Sequence, residues 1–129
     1  MGLDQYAVAS KEDLRERPEC AETASEIAYW RKHNRLQGYM EDLYRERHME
    51  DSDKPFNCVY LELMPSDIDE LEGVIKEALL PETSGFFFGP DSYRDPEHLK
   101  YLVEADLHFI RRARCAFEDG FRVWYYSWW

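Results

Sequence analysis

Hydrophobic and polar positions alternate near both ends of the chain and recur at helical spacing between them. Over residues 2 to 9, Leu3, Gln5 and Ala7 fall on one side and Asp4, Tyr6 and Val8 on the other, which predicts a first strand. A polar stretch through Pro18 reads as a loop. From about Glu22 to about His48, Tyr29, Trp30, His33, Leu36, Met40, Leu43 and Tyr44 recur at intervals of three and four, the signature of one long helix. Gly38 interrupts that stripe at about 1 kcal/mol relative to Ala, so a kink or a close contact is expected there. After the polar run 50–55, residues 56 to 63 alternate as a second strand. Pro65 begins another helix, with Ser66 as cap and Asp69 completing an approximate capping box. Ile68, Leu71, Val74, Ile75, Ala78 and Leu79 supply its stripe, and Pro81 stops it. The apolar run from Gly85 to Gly89 fits either a buried strand or a packed loop. Asp95 and Pro96 start a third helix, whose face runs through Leu99, Leu102, Val103, Leu107, Ile110, Ala113 and Phe117 to a stop at Gly120.

Residues 121 to 129 close the pattern as an aromatic strand. Phe121, Val123, Tyr125 and Trp129 share one face, while Trp124, Tyr126 and Trp128 share the other. One face can build a core, and the second needs covering by a helix, a ligand or a partner. That surplus predicts a homo-oligomer in which Trp124, Tyr126 or Trp128 is covered by another chain. The order β-α-β-α-(β)-α-β predicts a single α+β domain over residues 1–129, with a small, mostly antiparallel sheet covered by about three helices.

Composition narrows the function classes. With 27 acids against 16 Lys and Arg, the formal charge is -11, which opposes direct binding to nucleic acid or to an anionic membrane. It suits solubility, a cationic partner or mimicry of nucleic acid. Cys20, Cys58 and Cys115 are odd in number and widely spaced, as expected of free thiols in a reducing cytoplasm. The start lacks the pattern of a signal peptide, and no apolar run reaches membrane-spanning length. His33, His48, His98 and His108 have no metal-ligand spacing. No phosphate loop, dinucleotide fingerprint or nucleophile signature is present, so neither a metal nor a cofactor is expected and no catalytic residue is singled out.

The densest candidate chemistry is Trp30, Arg31, Lys32, His33 and Asn34. On a helix, Glu26, Trp30, His33 and Asn34 would share one side and Arg31 and Lys32 would point away from its centre. As a site, Arg31 or Lys32 grips a phosphate or carboxylate and Trp30 stacks on a base, with Tyr126 and Trp128 adding aromatic surface. The plainer reading, and the favoured one, is a core Trp30 with Glu26 as a helix ion-pair partner and His33 satisfied internally. For Phe86 to Phe88, core filling is likewise favoured over the wall of a ligand cavity.

The opening Met-Gly-Leu-Asp-Gln-Tyr, the Glu26 to Asn34 segment, the Gly85 to Gly89 run and the Tyr126 to Trp129 end together resemble a family of small uncharacterised proteins of tailed phages, prophages and bacteria. Members typically carry a Met-Gly-Leu-Asp-Met-Tyr-like start and a Tyr-Trp-Arg-Lys-x-Asn helix. Here Gln5 stands where that pattern often has Met, and Gln37 where it often has His. The resemblance implies a phage-linked setting and the host cell cytoplasm, with no activity to carry over. The expected function is an accessory, counter-defence binding protein that sequesters a small anionic or nucleotide-like ligand. The alternative is an acidic inhibitor presenting Glu41, Asp42, Glu46, Glu50, Asp51 and Asp53 to a cationic host nucleic-acid enzyme.

Overall fold

A computed structural model describes residues 2–83 and 95–129, so the Gly85 to Gly89 run lies outside the described residues. Four strands, β1 (Asp4–Ser10), β2 (Ser25–Arg31), β3 (Tyr60–Leu63) and β4 (Arg122–Trp128), form one antiparallel sheet in the order β2-β1-β4-β3. Three helices, α1 (Asn34–Arg47), α2 (Pro65–Lys76) and α3 (Pro96–Glu118), accompany it, with short 3₁₀ turns at Pro18–Thr23 and Met49–Asp51. This is the small α+β arrangement that the alternating and helical periods predict.

Alternation sets the two faces of the sheet. Leu3, Gln5, Ala7 and Ala9 are buried on the inner side of β1, and Val123, Tyr125 and Ser127 continue that side on β4. Against it, α3 packs on β2, β4 and β1, while α2 packs on α3. Trp30 meets Phe109 edge-on at 5.1 Å between ring centres, and Phe56 lies between Tyr44 and Tyr125 at 5.1 and 6.1 Å. Arg114 ties α3 to α2 through Asp69 and Glu72, at 2.8 and 3.0 Å.

One predicted element is replaced. The segment read as the first half of a long helix is β2, paired with β1 from Asp4↔Arg31 to Ala9↔Ser25. The pairing steps from Ala7↔Ala28 to Val8↔Glu26, so Ile27 is an extra residue in a β-bulge. The bulge puts both Ile27 and Trp30 inside, three positions apart, and this imitates the spacing of a helix. Lys32 then takes a left-handed backbone, φ 56°, and its N–H donates to the Leu3 carbonyl at 2.8 Å. The chain turns there, and α1 begins two residues later.

Three smaller features also differ from expectation. The cap of α2 is Met64, whose N–H donates to Asp67 Oδ2 at 2.7 Å with Pro65 at the first helical position, so Ser66 and Asp69 do not form it. That helix ends at Lys76, before Pro81, where Ala78 turns with φ 56° and Leu79 is exposed. Trp124 is buried within a single chain, under the Arg122 guanidinium and beside the edge of Tyr60, and so needs no second chain to cover it. The start of α3 is as predicted, with the Asp95 side chain accepting from the N–H of Glu97 and His98. At Gly38 the neighbour is a side chain: a Cβ there would lie 2.1 Å from Thr83 Oγ1.

Candidate functional site

The strand–turn–helix path from β2 to α1 divides the predicted site residues between two environments. Trp30, His33 and Asn34 turn inward and are buried, while Arg31 and Lys32 are exposed on the other side. Glu26 is exposed on the strand's outer side, so the proposed helix face joining it to Trp30, His33 and Asn34 does not exist.

Inside, polar residues form a chain of hydrogen bonds. Asp106 on α3 accepts from Trp30 Nε1 at 2.9 Å and lies 2.8 Å from His33 Nε2. Gln5 exchanges two bonds of 2.9 Å with the backbone of His33 and donates to the Tyr125 hydroxyl at 2.9 Å. Tyr125 donates to Gln37 Oε1 at 2.6 Å, and Gln37 donates to the Phe56 carbonyl at 3.3 Å. Burial pushes the Tyr125 hydroxyl pKa well above its ordinary value. His33 and Asp106 are 0% and 1% exposed, so this network joins sheet, α1 and α3 and has no access to a substrate. His33 is buried, as the plainer reading has it, with its Nε2 against Asp106.

Outside, the sheet face is laid out in cross-strand rows. Tyr29, Tyr6, Tyr126 and Tyr60 stand side by side across all four strands, with ring centres 5.1, 6.4 and 4.7 Å apart in turn. Tyr126 is half-buried in that row, and burial raises its hydroxyl pKa. The next row is Arg31 on β2, Asp4 on β1 and Trp128 on β4. Together with Gly2 and Trp129 these residues line a cleft of about 400 Å³.

Each wall of the cleft has a physical origin. Trp129 is anchored: its Nε1 donates to the Phe56 carbonyl at 2.8 Å, and its backbone exchanges two bonds with Asn57. Trp128 is 60% exposed and offers an open indole face. Asp4 Oδ1 accepts the Tyr29 hydroxyl at 2.5 Å, a bond to a carboxylate that raises the Tyr29 pKa. Arg31 stands 3.8 Å from the same oxygen and makes no side-chain hydrogen bond among the described residues. A Cβ on Gly2 would lie 3.5 Å from Arg31 Nη2 and 3.9 Å from Lys32 Cε, so both cationic side chains flank that backbone.

A second cleft of about 410 Å³ includes Arg15, Arg47, His48 and Trp124. Its basic side chains already have partners: Arg15 meets Asp51, Arg47 meets Asp67 and the Glu62 carbonyl, and the His48 ring lies 3.4 Å from Glu50. Among the described residues no group of His, Cys, Asp or Glu could hold a metal ion, and no helix is long and apolar enough to cross a membrane.

The acidic segment is only partly a surface. Asp51 is buried and held by Tyr44 at 2.7 Å, Lys54 at 3.1 Å and Arg15 at 3.2 Å, which corrects its place among the presented acids. Glu41 pairs with Arg45 at 3.1 Å, and Asp42, Glu46, Glu50 and Asp53 are exposed.

Sequence reasoning missed Asp4, Gly2 and Trp129 in the cleft and Asp106, Gln5 and Gln37 in the core. Two of the core residues carry a readable signal, because Asp106 and Gln5 occupy positions on otherwise apolar faces, where a polar group requires a partner. Compared with protein-family models, curated proteins and solved structures, the chain matches none.

Proposed function

We propose that this chain is an accessory binding protein that sequesters a small anionic, nucleotide-like ligand on the outer face of its sheet, in the phage-linked, counter-defence setting implied by its sequence resemblance. The observation that carries this reading is the cleft itself. Arg31 and Trp128, from strands far apart in sequence, border one concavity with Lys32 at its rim. An arginine with no side-chain hydrogen bond among the described residues, beside an exposed indole, supplies the charge and the stacking surface that a nucleotide needs. The cationic patch is small against a net charge of -11, which favours a ligand of one or two phosphates over a polymer.

Trp30, His33 and Asn34 have no part in this contact, because they belong to the core. The inhibitor reading has less support, since Asp51 is consumed by internal bonds and Glu41 is shared with Arg45. Mass spectrometry of small molecules that copurify with the protein from its native cells tests the proposal. The expected result is a nucleotide retained by the wild type and lost in Arg31→Ala and Lys32→Ala, with both variants still folded. A captured basic protein whose retention depends on the exposed acids of residues 41–53, with no small molecule, would overturn it.

A further inference from the structure

Resting on the nucleotide reading, we infer that the cleft recognises the sugar as well as the phosphate, and that its ligand is a ribonucleotide with an intact 2′,3′-diol. The row that lines the cleft is ordered cation, carboxylate, indole: Arg31, Asp4 and Trp128 on three successive strands. A 5′-mononucleotide carries complementary chemistry in the same order, with phosphate at one end, ribose in the middle and base at the other.

Asp4 is the decisive member. Its Oδ1 accepts the Tyr29 hydroxyl, whereas its Oδ2 accepts no hydrogen bond among the described residues. An ionised carboxylate is an acceptor only, so a ligand group that contacts its open oxygen has to be a donor. A phosphate monoester is mostly dianionic at neutral pH, with few O–H groups to donate, and placed over Asp4 it would be repelled. A vicinal diol offers two, and a carboxylate that binds ribose hydroxyls is an established way to select a nucleotide sugar. Arg31 and Lys32 outnumber Asp4 at this end of the sheet and hold the phosphate on the β2 side. The exposed face of Trp128 receives the base on the β4 side.

The test is calorimetric titration with 5′-AMP, GMP, CMP and UMP and with the 2′,3′-dideoxy form of each. Hydrogen bonds to a charged acceptor make the dideoxy forms weaker by about tenfold or more. Asp4→Ala and Asp4→Asn, each confirmed folded by circular dichroism, should level the two series, whereas Arg31→Ala should weaken both alike. Equal affinity of the wild type for ribose and dideoxy forms overturns the inference while leaving nucleotide binding in place. Failure of all eight compounds to bind at millimolar concentration overturns the nucleotide reading and this inference with it.

Discussion

Replacing Asp106 with Ala tests the buried network at its most connected carboxylate. The substitution removes the acceptor of Trp30 Nε1 at 2.9 Å and the partner of His33 Nε2 at 2.8 Å. Trp30 and His33 are 3% and 0% exposed, so water cannot replace what is lost without opening the core. Each orphaned buried group costs about 1–3 kcal/mol, hence roughly 2–6 kcal/mol for the two. Relief of the carboxylate's own desolvation offsets part of this, which brings the expectation to about 2–4 kcal/mol. Against a total stability of about 5–15 kcal/mol that is a large share. Urea unfolding followed by circular dichroism should show a midpoint lower by about 1–2 M at unchanged slope. A cycle with Trp30→Phe isolates the indole: in that background the cost of Asp106→Ala should fall by about 1–3 kcal/mol, because one orphan is gone. A cost below about 0.5 kcal/mol, or no coupling to Trp30→Phe, would refute the reasoning.

Further outcomes follow from single contacts. The Tyr44 hydroxyl first, then Lys54 and Arg15, hold the Asp51 carboxyl down to about 2 from its ordinary 3.8. The stability it contributes is therefore complete above about pH 4 and lost as pH falls towards 2, and melting temperature against pH should be flatter over that window in Asp51→Asn. Gly38→Ala should destabilise by about 1–3 kcal/mol through its clash with Thr83, with Thr83→Ala restoring most of the loss. Gly73→Ala, with nothing within 4 Å of the new methyl, should gain about 0.5–1 kcal/mol in the same denaturation assay. Trp128→Ala should change stability by no more than about 0.5 kcal/mol, whereas Trp129→Ala forfeits the indole bond to Phe56 and should cost about 1 kcal/mol or more.

Most of the sheet was legible because β1 and β4 alternate without interruption, whereas of the strand expected over residues 56 to 63 only Tyr60–Leu63 forms, after Cys58 turns with φ 59°. The two faces of β1 and β4 follow from the sequence, as does the start of α3 at Asp95. The strand β2 was not legible, for a physical reason. Its bulge at Ile27 moves the inward positions to a spacing of three, and the turn into α1 at Lys32 carries neither Gly nor Pro to mark it. The pattern of Tyr29, Trp30, His33 and Leu36 thus ran across a strand, a turn and a helix as though they were one element. For the same reason five adjacent residues looked like one site, when the backbone sends Arg31 and Lys32 outward and Trp30, His33 and Asn34 inward. The cleft depends on cross-strand neighbours, Arg31 beside Asp4 and Asp4 beside Trp128, and such adjacency comes from sheet order, which sequence spacing does not carry.

Sheet order also governs when this chain can fold. The two central strands are β1 and β4, and their pairing joins Asp4 to Trp128 across nearly the whole length. A polypeptide still emerging from the ribosome can form the β1–β2 hairpin and the helices, but the second hydrogen-bonding edge of β1 has no partner strand until β4 is released. The core position of Tyr125, the seat of β3 and both rows of the outer face wait for that event. Closure over such a distance is slow compared with helix formation, and it leaves apolar surface open in the interval. The fold is therefore complete only once Arg122–Trp128 can pair with both β1 and β3.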